Sequence, residues 1–255
     1  MKKILILLFP LLLAACSGSD KQSGLKFTVE GTLDNAANKM LYVEEMTPDN
    51  GPQFIDSIPC DEKGHFHFKM HADYQTFFNL HTSLYDYIVL LPADGETITV
   101  SGNAAALSTN YRVEGSEGSQ LMWQIMNYVN DANMAISDII AIDKHNRETL
   151  DDKAYALAHD ETDSMFVGER QTVYLMFYNF IQDNAGSLAT LYAIDAPFNH
   201  SMRVFYAEPD FEVFEMVLEG LEEKCPDNPH TLYYRTRIER ARSERQLRQA
   251  ENQSI

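Results

Sequence analysis

In the stretch GHFHFKMHADY, residues 64–74, His65, His67, Lys69 and His71 fall at every second position, with Phe66, Phe68 and Met70 between them. Imidazoles two apart on a strand share a face and could hold a metal together, with His81 on a neighbouring strand as the residue available for a third bond. A zinc site needs three or four ligands and outer hydrogen-bond partners, however, and Lys69 puts a fixed positive charge in the middle of the row. The same spacing arises when Phe66, Phe68 and Met70 face a core and the polar residues face water. The row therefore reads as the wet side of a strand. His65, His67 and His81 remain weak metal candidates, and the expectation is no metal and no cofactor.

Other chemistry has less to build on. Cys60 and Cys225 lie far apart in the chain, no Cys-x-x-Cys is present, and each thiol reads as a small apolar side chain. The sequence contains no His-Glu-x-x-His, no Gly-x-Ser-x-Gly and no phosphate-binding glycine loop. Acidic neighbours such as Glu44 with Glu45, and Glu222 with Glu223, point in different directions on a strand or helix, which does not suit a catalytic carboxylate pair. The reading is a protein without a catalytic residue.

The elements that carry these residues divide the chain. From Leu25 to about Gly115 the apolar period is two, in short runs over Leu25–Glu30, Met40–Met46, Phe54–Ile58, His65–Ala72, Thr76–His81, Tyr85–Leu91, Thr97–Ser101 and Tyr111–Val113. TPDNGP, DEKG and PADG supply turns between them, a pattern typical of an antiparallel sandwich. Beyond Gly115 the period lengthens: Met122, Met126, Val129, Ile136 and Ile140 form one helical stripe, and Leu121, Ile125, Tyr128, Ala132 and Ile139 form another beside it. Further helices are expected over residues 149–182, 188–194, from Phe211 to Cys225, and from Pro229 onward. The expected fold class is α+β, an N-terminal antiparallel β-sandwich over 25–115 followed by an all-helical layer or domain over 116–232.

Charge separates the end of the chain from the rest. The sequence holds 20 Lys and Arg against 38 Asp and Glu, a net charge of −18, which opposes nucleic acid because phosphate binding needs concentrated Lys and Arg. Residues 233–255 run the other way. They form an Arg-rich terminal helix or tail in which Arg235, Arg240, Arg242, Arg245 and Arg248 are candidate partner contacts. Arg235 with Glu239, Arg240 with Glu244 and Glu244 with Arg248 are spaced for pairing along one helix.

The N-terminus reads MKKILILLFPLLLAACSGSD, a basic start and an apolar run too short to span a bilayer, which marks residues 1–15 as a signal peptide. Leu13, Ala14, Ala15 and Cys16 resemble the bacterial lipobox, whose cysteine is acylated. Several acyl chains, each worth about 0.8 kcal/mol per buried methylene, anchor a protein stably. Residues 16–24 then serve as lipidated cysteine and tether. Ser17, where an aspartate would signal inner-membrane retention, favours the outer membrane, and a periplasmic and a surface-exposed placement both fit.

The order of FTVEGTL, FIDSI, KGHFHFKM, ADGETITVSG, YRVEGSEGSQLM and NFIQDNAGSLATLYAI resembles the front part of thioredoxin-like lipoproteins of the AhpC/TSA type. There, an N-terminal β domain of unknown function and a helical spacer precede a thioredoxin fold. The resemblance reaches about residue 240 and matches none of that family's catalytic residues. It implies an outer-membrane lipoprotein acting as a non-enzymatic binding or accessory module for an envelope protein or small ligand. The alternative is an accessory partner of a separate thioredoxin-like protein that handles disulfides or peroxide.

Overall fold

The computed structural model describes residues 24–199 and 201–253, so the segment expected to be a signal peptide and the expected lipidation site Cys16 lie outside the described residues. Eight strands come first: β1 (Leu25–Asp34), β2 (Met40–Thr47), β3 (Gly51–Pro59), β4 (His65–Ala72), β5 (Phe77–Ser83), β6 (Asp86–Leu90), β7 (Thr97–Asn103) and β8 (Tyr111–Glu114). They form two four-stranded sheets, ordered β4-β1-β7-β8 and β3-β2-β5-β6. The expected sandwich is present, but it is not wholly antiparallel. β1 and β7 pair in parallel from Thr28↔Thr97 to Asp34↔Asn103. The whole second sheet lies between these strands in the chain, and that long crossover is what a parallel pair requires. Alternating side chains look the same in either pairing, so the sequence carries no mark of the direction.

Turn chemistry sets the strand ends. Gly64 closes the DEKG turn at φ +80°, and a Cβ there would stand 2.2 Å from the Leu33 carbonyl oxygen, so only glycine fits. Gly115, at φ +81°, reverses the chain from β8 into the first helix. β3 begins at Gly51, opposite Thr47, three residues before the run at Phe54 that its side chains signal.

Five helices follow: α1 (Glu117–Thr149), α2 (Asp152–Asp183), α3 (Ala189–Ile194), α4 (Phe211–Lys224) and α5 (Pro229–Gln253). Ser116 caps α1 by accepting from the Ser119 amide at 3.2 Å, and Ser119 Oγ accepts from the Leu91 amide at 3.0 Å, which fastens the helix start to the second sheet. Asp151 caps α2 in the same way, through the Ala154 amide at 2.9 Å. With 33 and 32 residues, α1 and α2 form an antiparallel pair roughly 50 Å long at 1.5 Å rise per residue. Its far end packs only on itself, which leaves Ile140 60% exposed despite its place on the apolar stripe.

Two cores result. Val29, Leu33, Leu41, Val43, Phe78, Leu80, Ile88, Leu90, Ile98 and Val100 fill the space between the sheets. Phe77, Val89 and Leu91 point from the opposite face of the second sheet into a helical core containing Ile125, Phe177, Phe180, Ile194, Phe214, Tyr234 and Ile238. β5 and β6 are thus covered on both faces, and their apolar runs lack the clean alternation of β1 or β4. Residues 233–253 do not stand apart from this layer, since α5 is continuous through them and buries Tyr234 and Ile238. The two cysteines among the described residues are free: Cys60 is buried in the sandwich core, and Cys225 packs at the edge of the helical one.

Candidate functional site

β4 is an edge strand whose Phe66 and Phe68 face the sandwich core while His65, His67, Lys69 and His71 are exposed. His65 Nδ1 lies 2.9 Å from Asp61 Oδ2. The Asp61 carboxyl is held below the usual range first by the His65 amide, then by the Lys63 amide and the His65 ring. His81 is not brought to this row. It belongs to β5 of the other sheet, on the outer face of that sheet, so the two groups lie on opposite sides of the sandwich. Among the described residues no group of three or more His, Cys, Asp or Glu side chains is gathered closely enough to hold a metal.

The arginines of α5 turn to acids of the same chain. Arg235 Nε donates to Glu222 at 2.6 Å, Arg242 Nε to Glu215 at 2.8 Å, and Arg248 pairs with Glu208. Arg245 stacks 4.4 Å above the Phe211 ring. Of the three pairs spaced along the helix, the ion pair that forms is Arg240 with Glu244, at 3.0 Å. Four of the five candidate partner contacts thus reach α4 or the segment just before it, and they hold α5 on the body. Exposed pairs of this kind contribute about 0–1 kcal/mol each.

Arg237, which the sequence did not single out, has the most elaborate setting. Its guanidinium donates to both Asp195 oxygens at 2.5 and 2.8 Å and lies over the rings of Phe214 and Tyr234, while Arg203 holds the same carboxylate at 2.9 Å. The partners are 42 residues apart, and no local spacing reveals them.

This ion pair borders a cavity of about 530 Å³ between the second sheet and the helices. Met46, Phe77 and Tyr87 form the sheet wall; Ile125 and Val129 of α1, Tyr192 of α3 and Tyr233 of α5 form the helical wall. That volume lies within the usual range for small-molecule sites, about 300–1,000 Å³, as does an apolar lining with a few placed polar groups. His230 is one of those groups. Its ring stands edge-on to Phe77 at 5.1 Å, and its Nε2 is 2.8 Å from Thr76 Oγ1. The Thr76 hydroxyl donates to the Met46 carbonyl at 2.9 Å, so it accepts from His230, which fixes the hydrogen on Nε2. Burial pushes the imidazole down to about 4 and raises the Tyr192 phenol. Burial also raises the Cys60 thiol, with the Asp61 charge adding to it, opposite to what a reactive thiolate needs.

The cavity escaped sequence reading because its walls come from strands and helices far apart in the chain. The signal present was the pair of adjacent stripes on α1, of which Ile125 and Val129 line the cavity from different stripes.

No curated protein matches the chain. Among solved structures, the crystal structure of (S)-allantoin synthase aligns at 9% identity and a TM-score of 0.25, over 37% of this chain and 45% of that one. The chain thus matches less than half the length of that protein, and the likeness carries no argument. Residues 27–122, which comprise the β-sandwich and the opening turns of α1, match the family model described as a domain of unknown function, DUF4369.

Proposed function

We propose that the protein is a lipid-anchored, non-enzymatic binding module of the bacterial outer membrane, whose cavity between the second sheet and the helical layer takes a small apolar or aromatic molecule. The observation that carries the binding function is that cavity, about 530 Å³ in volume, walled by Phe77, Tyr87, Val129 and Tyr192, with His230 and the Asp195–Arg237 pair as its polar groups. The lipobox at Leu13 to Cys16, followed by Ser17, supports the anchor and the membrane. The order of a tethered β domain and a helical layer also supports kinship with the front part of thioredoxin-like lipoproteins.

Fluorescence titration with N-phenyl-1-naphthylamine, a neutral apolar probe, tests the cavity. The wild-type protein should show saturable enhancement, and Val129→Trp, which fills the cavity from the α1 wall, should bind at least tenfold more weakly at an unchanged melting temperature. Equal binding by both proteins would place the probe elsewhere and remove the basis of the proposal.

A further inference from the structure

A second hollow, of about 360 Å³, opens on the outer face of the second sheet and is lined by Tyr42, Glu44, Phe54, His81, Ser83 and Leu84, among others. Strand register builds it. Tyr42 pairs with His81 and Glu44 with Asn79 across β2 and β5, and Glu44 pairs with Phe54 across β2 and β3, so these side chains share one face. The apolar part is solvent-facing: Phe54 is 62% exposed and Leu84 72%.

The polar part is buried and unsatisfied. His81 is only 5% exposed, and neither ring nitrogen has a hydrogen-bond partner among the described residues. Its Nε2 stands 3.6 Å from Glu44 Oε1, beyond hydrogen-bonding reach. Asn79, buried on the same face but outside the lining of the hollow, donates its amide nitrogen to Met46 Sδ at 3.2 Å and leaves Oδ1 without a partner among the described residues. An unpaired buried polar group is costly and calls for an occupant.

Glu44 and, in one tautomer, His81 Nε2 offer acceptors to this hollow. A carboxylate only accepts, and a neutral imidazole carries one nitrogen lone pair and one N–H, whichever tautomer it adopts. With that lone pair on Nε2, two acceptors face each other at 3.6 Å, a distance that one donor seated between them can bridge. An anion would be repelled by Glu44. An ammonium supplies three donors and a charge that matches both Glu44 and the net charge of −18, and the Tyr42 and Phe54 rings suit a cation on an apolar stem.

We propose that this hollow binds a primary ammonium group carried on an apolar or aromatic stem, with Glu44 and His81 as its acceptors and Tyr42 and Phe54 as its walls. The site is separate from the cavity proposed above. Calorimetric titration with benzylammonium, alongside the neutral benzyl alcohol, tests it, with the His81 ring nitrogens followed by NMR to locate the ligand. Benzylammonium should bind saturably and shift those nitrogens; benzyl alcohol should bind at least tenfold more weakly. Glu44→Gln should weaken benzylammonium at least tenfold, and Phe54→Ala, on an exposed edge strand where folding is not at risk, at least threefold. Val129→Trp should leave all of this unchanged, so this site and the inter-layer cavity can fail independently. No saturable binding, equal affinity for the alcohol, or an unaffected Glu44→Gln variant would each overturn the proposal.

Discussion

Replacing Phe177 by alanine should cost about 3–5 kcal/mol of stability, the usual range for truncating a fully buried aromatic side chain. Phe177 has no exposed surface, lies on α2 at the centre of the helical core, and meets Tyr128 of α1 edge-on at 5.7 Å. The same core includes Phe77, Val89 and Leu91 of the second sheet, so the damage should not be confined to the helices. Urea denaturation followed by far-ultraviolet circular dichroism and by Trp123 fluorescence should show one coincident transition, shifted to lower urea in the variant. Ile140→Ala, on the exposed far end of α1, should fall within about 0.5 kcal/mol of wild type. A loss below 1 kcal/mol for Phe177→Ala, or separate transitions for the two probes, would contradict a helical layer built onto the sandwich.

Acid should weaken the protein through His230. Burial holds this imidazole at about 4 in the folded chain, against about 6.5 when unfolded, so between those values the unfolded chain binds the extra proton. Stability from this residue is therefore fully present above about pH 6.5 and is lost as pH falls toward 4, to a limit of about 3 kcal/mol. His230→Gln keeps a side-chain N–H for Thr76 Oγ1 but cannot titrate. Its stability should decline less steeply between pH 6.5 and 4.5 than that of wild type, measured by urea denaturation at each pH. Parallel declines would mean that the imidazole is not held neutral beside Thr76 and Phe77.

What the residues disclosed in advance depended on how local the cause was. Period-two runs located all eight strands because each side chain's face is decided by its immediate neighbours, and the exposed His65 and His67 beside buried Phe66 and Phe68 follow from that rule alone. The start of α5 was equally local, since Pro229 acts through backbone geometry within one turn. Strand partners were not. Nothing in LKFTVEG or TITVSGN says that these segments pair in parallel, and nothing around His81 says that it sits opposite Tyr42 rather than near His67. The arginine tail shows the same limit: the spacing of Arg235 and Arg248 suggested pairs within one helix, whereas their partners Glu222 and Glu208, like Glu215 beside Arg242, lie outside α5. The Arg237–Asp195 pair and both hollows depend on contacts between distant segments, which composition and periodicity do not encode.

The central claim joins a lipid anchor to an occupied cavity, and one native mass spectrum of the protein, extracted in mild detergent from outer-membrane fractions, addresses both. The account predicts a chain that begins at Cys16, carries acyl groups there, and holds a small apolar adduct that the Val129→Trp variant loses. An unacylated chain still bearing residues 1–15, or an acylated chain that holds no adduct or holds the same adduct in wild type and Val129→Trp, would contradict it.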